Sequence, residues 1–119
     1  MSFQGVFERL LAGIPGARGA ILVDWEGEAV AQAGRMDDFD LQVIGAHQGV
    51  ILQHLRAAVA RLGRERLREL VISSVGGQTL MLPVTDEYCL VLALDRSAPP
   101  GRARFEALGC LPLLRQEID

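Results

Sequence analysis

The stretch Phe39 to Gly63, FDLQVIGAHQGVILQHLRAAVARLG, does most to limit what this chain can become. It holds no proline and reads as one helix. A helix turns about 100° per residue, so each side chain can be assigned to a face. Leu41, Ile44, Gln48, Ile51, Leu52, Leu55, Val59 and Leu62 fall on one side. That stripe is apolar except for Gln48 and is expected to lie on a core. The opposite side should be charged, yet it carries Val43, Ala46, Val50 and Ala57, bordered by His47, Gln53, His54 and Arg61. A helix with two apolar stripes needs two neighbours. A chain of 119 residues supplies one, so the second is expected from another molecule.

That length fits one domain over residues 1–119 and allows roughly two-thirds of the unfolded surface to be buried. Half of the residues are hydrophobic and the mean hydropathy is +0.23. Either both faces of a sheet are covered, or part of the apolar surface faces a partner. The net charge of −3 and pI near 5.3 speak against a nucleic-acid partner or an anionic membrane, which need a basic surface. No apolar run reaches the roughly 20 residues of a membrane span, so no membrane insertion is expected. No signal-peptide pattern is legible at the start. Cys89 and Cys110 sit among apolar residues without a CxxC or a histidine cluster. They read as buried, reduced thiols of a cytoplasmic protein.

Along the chain, Ser2 can cap a first helix whose inward side is Phe3, Val6, Phe7, Leu10, Leu11 and Ile14, and Pro15-Gly16 ends it. Gly19–Asp24 and Glu28–Gln32 read as a hairpin, with Trp25 exposed in its turn and Gly27 free for positive φ. Asp37 or Asp38 can cap the long helix, and Gly63 with Arg61 and Arg64 suits its end. Strands are expected at Leu67–Val75, Gln78–Val84 and Tyr88–Leu94, with Gly76-Gly77 as a hairpin turn and Pro83 at a strand end. The near-continuous apolar run of the last strand requires cover on both faces. A final helix from about Arg102 should turn Phe105, Leu108 and Leu111 inward, with Pro112 kinking or splitting it. The fold class is therefore α+β within the broad α/β group, in the order α-β-β-α-β-β-β-α. One five-stranded antiparallel sheet lies between helices, the terminal pair on one face and the long helix on the other.

No catalytic constellation is legible. Gly76-Gly77 lies between strands and lacks the lysine and hydroxyl of a phosphate loop. Asp37, Asp38 and Asp40 lack calcium-loop spacing and are better used as caps. His47 and His54 lie about two turns apart, too far for one zinc ion with bonds of about 2 Å, and could meet only their own copies across a two-fold axis. Ser73 and Ser74 have no nucleophile elbow. Catalytic residues, cofactor and metal are accordingly expected to be none. Arg56, Arg61, Arg64, Arg66 and Arg68 interleave with Glu65 and Glu69, the look of a solvated helix end. The sharper alternative is an arginine finger offered to a nucleotide-hydrolysing partner.

Several phrases, in this order, resemble the Roadblock family, the dynein-light-chain-related domain shared with bacterial MglB-type proteins and built like longins and profilins. They are Ile14-Pro15-Gly16-Ala17 leading into Gly19-Ala20-Ile21-Leu22-Val23-Asp24, then Gly27-Glu28. Ile44-Gly45-Ala46, Glu69-Leu70-Val71-Ile72 and Tyr88-Cys89-Leu90-Val91-Leu92 follow. The resemblance implies a homodimer in which the strand after the long helix pairs across a two-fold axis and the long helices pack side by side. Carried onto this chain, the edge strand would use Leu67, Glu69, Val71 and Ser73. The helix surface would use Val43, Ala46, His47, Val50, Gln53, His54, Ala57 and Arg61. It also implies a Ras-like small GTPase as partner, activated by repositioning the GTPase's own groups, in polarity or motility control. The reading from another class is a homotypic scaffold in a signalling or transport assembly without a GTPase. A small-molecule sensor is a third.

Overall fold

The computed structural model describes residues 2–118. Its elements are α1 (Phe3–Ala12), β1 (Ala17–Asp24), β2 (Ala29–Gly34), α2 (Asp38–Ala60), β3 (Leu70–Ser74), β4 (Gly77–Pro83), β5 (Tyr88–Leu94) and α3 (Pro100–Ile118). The strands form one antiparallel sheet in the order β2-β1-β5-β4-β3. Central β1 and β5 are buried on both faces, which is why their sequences do not alternate.

α1 and α3 cover one face. Phe7, Leu10 and Leu114 pack there on Leu22, Leu80, Leu90 and Leu92. α2 covers part of the other, where Leu41 and Leu52 pack with Ile21, Val23, Met81 and Val91. Two helix starts follow the expected chemistry. Ser2 Oγ accepts from the Gly5 N–H at 3.1 Å. Asp37 Oδ1 accepts from Phe39 and Asp40 N–H at 2.9 and 3.1 Å.

α2 is rotated relative to the expected stripe. Leu41 and Leu52 are fully buried, but Ile51, Leu55 and Leu62 are 39%, 38% and 71% exposed. The helix turns Gly45 and Gly49 toward β1 instead. A Cβ at Gly45 would sit 3.0 Å from Ile21 Cγ2 and 3.1 Å from Val23 Cγ1, so a larger residue would push these side chains back and glycine eases the approach. A count of apolar side chains cannot register residues that have none. The helix also ends at Ala60, before Gly63. Arg61 and Leu62 donate to Ala58 and Val59, a tightened last turn.

The strand expected at Leu67–Val75 is shorter. β4 explains the loss: Val84 N–H donates to Tyr88 on β5, so the preceding Pro83 faces β3 and has no N–H to give there. Continuing the register would set Arg68 against Pro83, and pairing stops at Leu70 with Met81. Leu67 therefore lies outside the strand and packs, half-buried, against the core cluster on the α2 face. Glu69 also lies outside it, held by Arg104 of α3 at 2.6 Å. The hairpin turn is Val75-Gly76, since Gly77 already pairs with Ser74.

α3 differs in facing. Ala103, Ala107, Cys110, Leu111 and Leu114 are buried, whereas Phe105 is 72% exposed and Leu108 lies at the surface. Pro112 does not split the helix. It withholds a bond from the Leu108 carbonyl, and both residues lie on the solvent side, where water can satisfy that group.

Candidate interaction surface

The sheet has two free edges, and they are built differently. In β2 the register skips a residue: Leu22 pairs with Ala31 and Val23 with Ala29, so Val30 bulges out. A bulge kinks an edge and discourages further pairing. β3 has no such guard. Five successive residues pair with β4 without a break, and the strand contains no proline or charge. Its outer N–H and C=O groups form a straight open ladder.

Beside β3 the α2 face of the sheet is uncovered, because α2 lies mainly over β1, β2 and β5. Leu70 and Ile72 reach the buried cluster there but stay half-exposed. Between α2 and this edge runs a cleft of about 350 Å³, lined among others by Ile44, Gln48, Ile72, Ser74 and Thr79. Ile51 and Leu55 share the side of α2 that carries Ile44. Their exposure makes sense here: they border the open half of the sheet. At the cleft, Gln48 Oε1 and Thr79 Oγ1 are buried without a hydrogen-bond partner.

The residues singled out on α2 take three positions. Ala46 is half-buried on the side away from β3, against the β1–β2 turn. There Gly27 has φ +88°, and a Cβ on it would meet Ala46 Cα at 3.1 Å. Val43, Val50 and Ala57 are exposed on the outward side. His47, Gln53, His54 and Arg61 are exposed around them. On β3, Val71 is 46% exposed and Ser73 exposed, both on the face opposite α2. Sequence reasoning missed Ile51, Leu55 and the Gln48–Thr79 pair as surface features. The available signal was Gly45 and Gly49, one turn apart.

Trp25 is not the exposed turn residue that the sequence suggested. It is half-buried, and its Nε1–H donates to the Asp86 carbonyl at 2.6 Å. The Arg56 guanidinium lies 4.7 Å from its ring centroid and reaches Asp86 Oδ1 at 3.2 Å. The three residues tie the first hairpin, α2 and the β4–β5 turn together. Arg56 is thereby committed. Arg61, Arg64, Arg66 and Arg68 are exposed near the far end of α2.

Cys89 and Cys110 are free thiols on opposite faces of the sheet. Burial pushes the Cys89 thiol from about 9 up to about 12, with Arg56 partly opposing the rise. Burial likewise pushes Cys110 up to about 11. Both shifts run opposite to what a nucleophile needs. Among the described residues no three His, Cys, Asp or Glu side chains converge to hold a metal. No described helix is long and apolar enough to cross a membrane.

An antiparallel sheet clad by two helices on one face and one on the other, with one edge unguarded, is a roadblock–profilin type of sandwich. The comparisons narrow this. The family model described as Roadblock/LC7 domain matches residues 5–94, and the chain belongs to that family. A Roadblock/LC7 domain from Streptomyces avermitilis superposes with a TM-score of 0.88 at 17% identity, covering 99% of this chain and 98% of that one. The gliding protein MglB from Thermus thermophilus gives 0.78 at 23% identity, covering 90% and 81%. Acanthamoeba castellanii profilin II gives 0.65 at 15% identity, covering 95% and 96%. These likenesses concern the fold. No curated protein matches the chain.

Proposed function

We propose that this chain is a non-catalytic, homodimeric regulator or scaffold of the bacterial cytoplasm that binds a Ras-like small GTPase. One observation carries the reading: the unguarded β3 edge lies beside an uncovered apolar half-face. Pairing β3 with β3 of a second copy satisfies the open ladder and brings apolar surface over Ile44, Ile51, Leu55 and Ile72. Val71 and Ser73 would lie in the paired edge, with Leu67 and Glu69 at its start. The exposed residues Val43, His47, Val50, Gln53, His54, Ala57 and Arg61, with half-buried Ala46 at their far margin, would then form the surface a GTPase reads. Family membership and the likeness to MglB support this choice of partner. Association with polarity or motility control rests on the same likeness.

Arg56 is held by Trp25 and Asp86 while Arg61, Arg64, Arg66 and Arg68 stay exposed, and the reading calls on none of them as an arginine finger. The dimer would act by binding one GTPase conformation better than the other and so shifting its population. The test has two parts. Light scattering of the purified chain should give twice the monomer mass; a monomer at all concentrations sinks the dimer. Single-turnover GTP hydrolysis by a Ras-like GTPase from the same host should then be measured with and without the protein. Binding with a changed rate is the expected result. No binding and no rate change would leave the homotypic scaffold.

A further inference from the structure

Gln48 Oε1 and Thr79 Oγ1 are the two buried side-chain atoms without a partner among the described residues, and both residues line the cleft beside β3. Such orphans destabilise a fold when they stay unpaired. Their neighbours offer little relief. Ile44 and Ile72 are apolar, and Ser74 Oγ already donates to the Gly77 carbonyl at 3.1 Å. Gln78 Nε2 is directed instead to the carbonyls of Asp95, Arg96 and Ala98. The residues are not deep in the core. Gln48 and Thr79 are half-buried and line the cleft, so a turn of either side chain would bring its polar atom to it. The terminal torsion of a glutamine amide is broad, which makes that turn easy.

We infer that Gln48 and Thr79 are specificity-determining contacts of the self-interface, completed by hydrogen-bonding groups of a second copy of this chain. The occupant is a second copy because the cleft opens beside the unguarded β3 edge, through which the proposed dimer pairs. An apolar seam alone tolerates sliding. Two polar positions in it reward a single register and penalise a partner that leaves them unpaired, as polar positions do in coiled-coil seams. The inference rests on the dimer proposed above and adds to it a reason for choosing self over another chain with a similar apolar seam.

The experiment is sedimentation equilibrium on the full chain with Gln48→Met and Thr79→Val, substitutions that keep shape and remove the polar atoms. Circular dichroism checks that each variant folds. The dimer dissociation constant should rise about tenfold for either variant, the scale of an interface hydrogen bond whose partner is left unpaired. The double variant should lose less than the two single effects combined, because both residues line one cleft and would meet the same partner group. A wild-type dimer whose dissociation constant is unchanged in both variants overturns the inference while leaving the dimer intact. A loss of folding stability with unchanged association also overturns it, since the two groups would then act within one chain. A wild type that never dimerises overturns both the dimer and this inference.

Discussion

The two faces of the sheet are made of similar residues and end in different states. On one face, α1 and α3 lie side by side and close over Leu22, Leu80, Leu90 and Leu92. Ala103 and Ala107 let α3 settle low, and its one large exposed ring, Phe105, points away from the core. On the other face a single helix must do the same job. α2 settles on β1 through Gly45 and Gly49, and everything toward β3 stays half-open. The difference teaches that exposed apolar residues carry different meaning by place. Phe105 lies on the outer side of a helix whose inner side is buried, although beyond that helix Val71 and Ser73 of β3 stay exposed on the same face. Ile51 and Leu55 lie at the margin of an unfinished layer, beside a strand edge that can still pair.

The comparison can be broken by substitution. Phe7 is fully buried in the finished face. Phe7→Ala should cost about 3–5 kcal/mol of folding stability, read as a lower denaturation midpoint, with any loss of dimer following from unfolding. Leu55→Asp on the open face should separate the two properties. The monomer should keep its fold, because the side chain is already exposed. Association should weaken by several kcal/mol, because the dimer would bury an unpaired charge, and light scattering should show a monomer. If Leu55→Asp unfolds the chain and leaves no soluble monomer, the two faces are not different in kind.

The smallest effect uses the cysteines, one under each face. Both thiols have folded pKa values above the ordinary value near 9, chiefly through burial. A raised folded value means that the unfolded thiol ionises first. The stability tied to these groups is complete below about pH 9 and is lost as pH rises toward about 11 and 12. Denaturation midpoints should fall over that window. At pH 8 a thiol reagent should modify both slowly, and Cys110, which lines a cleft between α1 and α3, before Cys89. Faster reaction at Cys89 would mean that the α2 face opens more readily than its packing implies.

Much of the fold is legible in the sequence because its signals are local. Ser2 and Asp37 cap the helices they precede, since a short polar side chain can reach the free N–H groups of the first turn. The run Tyr88–Leu94 announces a strand covered on both faces. The site was less legible for equally physical reasons. Trp25 looked exposed because its partners, Arg56 and Asp86, are distant in sequence. Glu69 looked like strand because the salt bridge to Arg104 cannot be seen locally. The shortening of β3 depends on which way Pro83 faces, a matter of register with two neighbours.

The sequence by itself determined that a long helix with apolar residues on more than one side sits between two β units, and that Asp37 or Asp38 caps its start; the structure chose Asp37. Only the tertiary structure decided which side of that helix is core. A glycine offers no hydrophobic signal along the chain, yet it permits the closest approach to a sheet. That approach at Gly45 and Gly49 set the rotation of α2, left Ile51 and Leu55 facing out, and placed them beside the open edge of β3.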